Sequence, residues 1–239
     1  MAPGSAPAAA RALAGIALAA FATLAPPAVA DEPAAPRPPR VPPEQAARPV
    51  ASVPLANAGF ESPAPGRQGA PDGWVAIQHA GPLSYTFTLD GEAFRSGARS
   101  LRIDNVGPEP YGALYQVLPA AALRGKTLRF SAWLKTRDAK GNVYGSGAGL
   151  KLQSMRGGYI VDHAQMRMDS VGGTTDWARY EVHLKVASTA DQIEVGVNLF
   201  GPGSAWLDDA ALDVVEPPAA AAAAPAGGAA KPELQRQRP

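Results

Sequence analysis

The sequence of 239 residues contains no cysteine. Disulfide staples, thiolate metal centres, a thioether lipid anchor and cysteine nucleophiles are therefore all excluded. Histidine is scarce, with three in the chain (His79, His163 and His183), and no two share the H-x-x-x-H or H-E-x-x-H spacing of a zinc site. Charge of either sign is in balance, with 22 Lys and Arg against 21 Asp and Glu. Such a balance leaves no basic footprint for a nucleic acid. The sequence has no G-x-S-x-G elbow, Walker loop or dinucleotide fingerprint. Beyond the first thirty residues, no apolar run is long enough to span a bilayer.

What the chain has in excess is glycine and proline. With 25 of each, they make up about a fifth of the residues, against about 12% in ordinary globular sequences. Part of the excess lies at the ends. Residues 1–30 carry one charge, Arg11, before the apolar run Ala12–Ala25, and Ala28-Val29-Ala30 offers a small-x-small cleavage site before Asp31. This pattern predicts a signal peptide and an exported protein, periplasmic or secreted. Pro26-Pro27 closes a run too short for a transmembrane helix, so no membrane span is expected after cleavage. Residues 31–53 hold seven prolines and read as an extended linker. Residues 218–239 are Ala-, Pro- and Gly-rich with a basic end, and have too little to bury to offset the entropy of ordering.

Between these ends, residues 54–217 read as one β domain. Leu128, Phe130, Ala132 and Leu134 alternate with Arg129, Ser131, Trp133 and Lys135. Tyr180, Val182, Leu184 and Val186 alternate with Glu181, His183 and Lys185. Ile193, Val195, Val197 and Leu199 alternate with Glu194, Gly196 and Asn198. A period of two marks half-buried antiparallel strands. Further strands are predicted at 84–89, 100–104, 113–118, 149–153 and 206–215, separated by Gly, Pro and Asp clusters such as Asp90-Gly91 and Gly201-Pro202-Gly203. Only Ala120–Leu123 hints at a helical turn. The expected fold is all-β, an antiparallel two-sheet sandwich or jelly roll with disordered termini.

Six short segments carry a resemblance. Asn57-Ala58-Gly59-Phe60-Glu61, Asp72-Gly73-Trp74, Gly97–Leu101, Leu128–Thr136, Thr174–Tyr180 and Ala205–Leu212 follow one another in this order. In order and spacing they resemble the galactose-binding-like jelly rolls, which include many carbohydrate-binding modules of bacterial exported proteins. The resemblance implies a structural Ca²⁺ bound by Glu61 and Asp209; Asp90, in the loop before Gly97–Leu101, is placed to add a further oxygen. The alternative for these carboxylates is that they cap or pair with nearby donors and hold no metal. The fold does not by itself fix the ligand; the expected function is a non-catalytic module that binds glycan at the cell envelope.

Sugar rings stack on aromatic faces while amides and charges take the hydroxyls. The expected ligand face is Trp133, Gln153 and Asn198, which lie out of phase with their strands' apolar positions, flanked by Tyr111 and Tyr159. Asp208-Asp209 invites a carboxylate-pair mechanism, but neighbours in a strand point to opposite faces unless a bulge intervenes. Two alternatives to a glycan module stay open. One is an accessory domain that docks an envelope protein and takes no small ligand. The other is a small hydrolase on the same scaffold.

Overall fold

The computed structural model describes residues 48–66 and 71–216. The expected signal peptide, most of the expected linker and the expected tail lie outside these residues. Eleven strands form: β1 (Pro49–Val53), β2 (Val75–Gln78), β3 (Tyr85–Asp90), β4 (Ser100–Asn105), β5 (Tyr111–Pro119), β6 (Thr127–Ala139), β7 (Ala148–Arg156), β8 (Tyr159–Gln165), β9 (Gly173–Lys185), β10 (Gln192–Phe200) and β11 (Ser204–Val215). They make two antiparallel sheets. One has the order β3-β4-β11-β6-β9, with β1 also on β11; the other has the order β2-β5-β10-β7-β8. The expected two-sheet sandwich is what the chain forms. No helix occurs among the described residues, and Ala120–Leu123 forms a turn closed by the Leu123 and Arg124 amides on the Ala120 carbonyl.

The alternating strands explain the core. Leu128, Phe130, Ala132 and Leu134 of β6 are fully buried, as are Ile193, Val195, Val197 and Leu199 of β10. They meet Leu101 and Ile103 of β4, Leu150 and Leu152 of β7, and Leu212 and Val214 of β11 in a single apolar layer. Every second residue of these strands is thereby committed to the interior. The residues between them are committed to one of two outer faces, one on each sheet.

Strand β11 keeps its apolar side inward only because it contains a bulge. Its register with β6 shifts between Asp208 and Ala211, and Asp209 sits at φ 50°. The extra residue restores the phase, so that Ala205 and Leu207 before it and Ala210, Leu212 and Val214 after it all join the core. The turn before Phe60 is set in the same economical way. Asn57 and Phe60 adopt positive φ, the Asn57 side chain bonds both backbone groups of Ser62, and the Trp74 indole donates to the carbonyls of Ala56 and Asn57. Phe60 and Trp74 then pack ring to ring at 5.0 Å.

The domain begins earlier than expected. Pro49–Val53, read as the end of the linker, is strand β1, paired with Leu212–Val215 of β11. Strand β4 pairs with β11 only as far as Leu207, so the lower half of that edge needs another partner. Pro49 fits because it is the first residue of a strand, where its missing N–H is tolerated. A chain starting at Arg48 should therefore be more stable to urea than one starting at Pro54, by about 1–3 kcal/mol for the lost ladder bonds and edge contacts. Equal midpoints would show that β1 adds nothing.

Candidate binding cleft and the carboxylate-pinned loop

The outer face of the second sheet carries a cleft of about 350 Å³, within the roughly 300–1,000 Å³ usual for ligand sites. Its floor follows from the register of three strands. Gly196 of β10 lies between Tyr115 of β5 and Lys151 of β7; Glu194 lies opposite Gln153, and Asn198 opposite Gly149. All are out of phase with the core. Lys151 Nζ and Glu194 Oε1 form an ion pair at 3.0 Å, and the two side chains keep 7% and 11% of their exposure. The Tyr115 ring crosses above Gly196 to lie 4.5 Å from Lys151 Nζ. A Cβ on Gly196 would strike the Tyr115 backbone and side chain, so glycine is required there. Burial raises the Tyr115 hydroxyl pKa above its usual value, and the Glu194 charge adds to the shift.

Aromatic and apolar groups wall the cleft. Tyr111, Tyr144 and Phe200 gather at one end, Tyr111 edge-on to Tyr144 at 6.5 Å and tilted to Phe200 at 6.3 Å. Ile77 and Ile160 line it from the two outermost strands, and Gln165 and Arg167 from β8 and the connection after it. Tyr144 arrives on the segment between β6 and β7, which carries the chain from one sheet to the other. There Gly145 lies against the Phe200 ring with no room for a Cβ.

Of the five expected ligand residues, the cleft brings together Tyr111, Gln153 and Asn198. Trp133 is not with them. It belongs to β6 in the first sheet and faces outward there, with the Arg95 guanidinium 4.4 Å from its ring centre. Outward residues of the two sheets point in opposite directions, so Trp133 cannot share a face with Gln153. Tyr159 sits at the β7–β8 turn, 79% exposed and beyond the cleft wall. Lys151, Glu194, Tyr144 and Arg167 were not anticipated. The signal for the first two was strand phase, the same one that marked Gln153 and Asn198.

Part of the first sheet's outer face, around Asp208 and Trp133, lies under the segment Gly91–Arg99, which carboxylates hold in place. Asp208 Oδ2 accepts from the amides of Arg95 and Ser96 at 2.8 and 3.1 Å, and Asp209 Oδ1 from the Ser96 hydroxyl at 2.6 Å. Glu61 Oε1 accepts from the Ala98 amide at 3.0 Å. Gly97, with positive φ, lies against the Glu61 carboxylate where a Cβ would collide. The bulge is what lets neighbours Asp208 and Asp209 reach the same residue. Asp90 stands apart from them. Its Oδ1 takes the Glu92 amide, and its Oδ2 takes the Trp206 indole and lies 3.6 Å from Arg102. Burial works to raise the Asp90 pKa, but the Trp206 indole, the Glu92 and Ala93 amides and Arg102 outweigh it and hold the carboxyl below its usual range.

As a metal centre the expected trio therefore fits in part. Glu61 and Asp209 converge on one loop, whereas both Asp90 oxygens already serve donors. Among the described residues no three acidic or histidine side chains are close enough to form a metal-binding group. Two of the three histidines do other work: His79 pairs with Glu109 at 2.9 Å and His183 with Glu181 at 3.0 Å. No described helix is long and apolar enough to cross a membrane.

No protein-family model matches the chain. It is 26% identical over 149 residues to YbfP of Bacillus subtilis (strain 168), an uncharacterized HTH-type transcriptional regulator. The match takes in 60% of this chain and 48% of that protein, so the chain spans about half the length of this curated relative. Among solved structures, the Stig cyclase Fisc from Fischerella sp. TAU, in complex with (3Z)-3-(1-methyl-2-pyrrolidinylidene)-3H-indole, is similar at a TM-score of 0.51 and 15% identity, covering 70% of this chain and 98% of that one. TmCBM61 in complex with β-1,4-galactotriose is similar at 0.46 and 16%, covering 67% and 97%. The xylan-binding domain CBM22-1 of Paenibacillus barcinonensis Xyn10C is similar at 0.47 and 12%, covering 72% and 97%. What the cyclase likeness shows is the sandwich fold.

Burial raises the Asp208 carboxyl pKa above its usual range, and the amides of Arg95, Ser96 and Asp209 offset this only in part. The folded state thus holds the proton more tightly than the unfolded chain. That contribution to stability is present in acid and is lost as pH rises through the raised value. Relative to Asp208→Asn, the native protein should gain stability as the pH falls from about 7 towards about 4. Urea unfolding at several pH values measures this; a pH-independent difference between the two would contradict it.

Proposed function

We propose that this is an exported, non-catalytic module whose cleft on the β2-β5-β10-β7-β8 sheet binds a carbohydrate chain. One observation carries the reading: the polar side chains of Lys151, Gln153, Glu194 and Asn198 line the floor of a cleft that ends in the aromatic rings of Tyr111 and Tyr144. Amides and a pre-paired ion pair present donors and acceptors for hydroxyls, and the rings offer faces for sugar C–H groups. Solved carbohydrate-binding modules with a similar sandwich are in keeping with it.

A hydrolase fits the cleft less well. Glycoside hydrolysis ordinarily uses two carboxylates flanking the scissile bond. Glu194 is the one carboxylate among the residues lining the cleft, and it is engaged by Lys151. Docking of an envelope protein is the second reading. It is favoured by Tyr159, Ile160 and Val161, which expose 79%, 54% and 43% of their surface along the edge strand β8.

Affinity electrophoresis against a panel of soluble polysaccharides tests the primary reading. With a polysaccharide that retards the native protein, Gln153→Ala and Asn198→Ala should each weaken binding about tenfold, the cost of one or two hydrogen bonds. Tyr111→Ala should do likewise, and Trp133→Ala should leave the affinity unchanged. Loss in Trp133→Ala with none in Asn198→Ala would move the site to the other sheet.

Export and calcium complete the proposal. They rest on residues 1–30 and on the meeting of Glu61 and Asp209 at one loop. Protein isolated from its native host should begin at Asp31, and EDTA should lower its melting temperature by a few degrees, restored by Ca²⁺. An intact N-terminus would contradict export with cleavage, and an unchanged melting temperature would contradict calcium.

A further inference from the structure

We propose that the cleft selects glycans bearing a carboxylate, uronic acid residues, through Arg167. This rests on the glycan-binding reading and adds the substrate class. Three of the residues lining the cleft carry full charges: Lys151, Glu194 and Arg167. Lys151 and Glu194 neutralise one another at 3.0 Å and are nearly buried, so neither is available to an ionic partner on the ligand. Arg167 is left unbalanced. No carboxylate of the described residues pairs with its guanidinium. Asp169, the nearest acid in sequence, accepts instead from the Arg167 backbone amide at 2.9 Å.

The Arg167 side chain is also held in place. Its Nε donates to the Tyr144 carbonyl at 3.0 Å. That bond fixes the guanidinium beside the aromatic end of the cleft while leaving both terminal nitrogens as donors. A planar fork of this kind matches a carboxylate with two parallel hydrogen bonds. A sugar lying on the aromatic wall would bring its ring substituents to the same rim. A neutral sugar could satisfy Gln153, Asn198 and Gln165 equally well, but it offers no partner for the cation. The lining thus carries one positive charge in excess, placed where a ligand's edge would pass.

The test uses the full-length protein and matched ligands. Polygalacturonate, polyglucuronate and alginate are each compared with their carboxyl-reduced neutral forms by affinity electrophoresis at fixed ionic strength. The native protein should bind at least one acidic polymer about tenfold more tightly than its neutral counterpart, as expected for a charge-assisted bidentate contact. In Arg167→Gln the ratio of acidic to neutral affinity should fall to about one, and Arg167→Lys should recover part of it. Arg99→Gln, which removes an exposed cation from the loop on the other sheet, should keep the native ratio. Equal affinity for the two forms in the native protein, or an advantage that survives in Arg167→Gln, would overturn the proposal and leave glycan binding intact. Absence of binding to every acidic and neutral polymer would overturn the glycan reading itself, and this proposal with it.

Discussion

The two-residue period of β10 is the constraint on which the cleft depends. This strand runs through the middle of its sheet, flanked by β5 and β7. Its inward residues Ile193, Val195, Val197 and Leu199 have no exposure at all. Burying four branched side chains holds the strand's phase strongly, since a slip of one residue would turn the whole set out to water. Once that phase is set, Glu194, Gly196, Asn198 and Phe200 have one place to go. The neighbouring strands are in register with it, which brings Lys151, Gln153 and Tyr115 alongside. Gly196 gives Tyr115 room to lie across the strand, and the cleft floor is built without a strained residue on β10.

The opposite face is treated differently. There a loop lies over the outward residues around Asp208 and Trp133, and that loop is held by carboxylates from separate parts of the chain. Glu61 follows the first turn, and Asp208 and Asp209 lie at the bulge in the last strand. The bulge serves two ends. It returns Leu212 and Val214 to the core, and it lets two sequential aspartates converge on Ser96. Next to this loop the Trp206 ring has the guanidinium groups of Arg102 and Arg137 each 5.3 Å from its centre. Trp133 and Trp206 of this sheet are thus each faced by the protein's own cations, whereas Tyr144 at the cleft is 44% exposed.

Much of this was legible in the sequence. Alternation located eight of the strands, and phase alone picked out Gln153 and Asn198 as outward polar residues in the strands that form the cleft floor. What alternation does not carry is sheet membership. β6 and β7 are neighbours in sequence with outward polar positions on both, yet the segment between them crosses from one sheet to the other, and Trp133 went with the first. The ion pair of Lys151 and Glu194 depends on β7 lying beside β10, a long-range pairing to which a local pattern is blind. β1, β2 and β8 escaped because they are short or exposed on both faces, which removes the alternation that would announce them. The bulge at Asp209 left a trace in the adjacent aspartates, but its need became visible only once Leu207 and Leu212 were known to share one core.

The most direct measurement is a titration of isotopically labelled protein with an oligosaccharide mixture, followed by the amide and indole resonances in two-dimensional NMR. If the outer face of β10 and its neighbours is the ligand surface, the side-chain amides of Gln153 and Asn198 and the backbone amide of Gly196 should shift together, and the indole signals of Trp133 and Trp206 should stay in place. Shifts centred on those two tryptophans, with the Gln153 and Asn198 amides unmoved, would contradict the account.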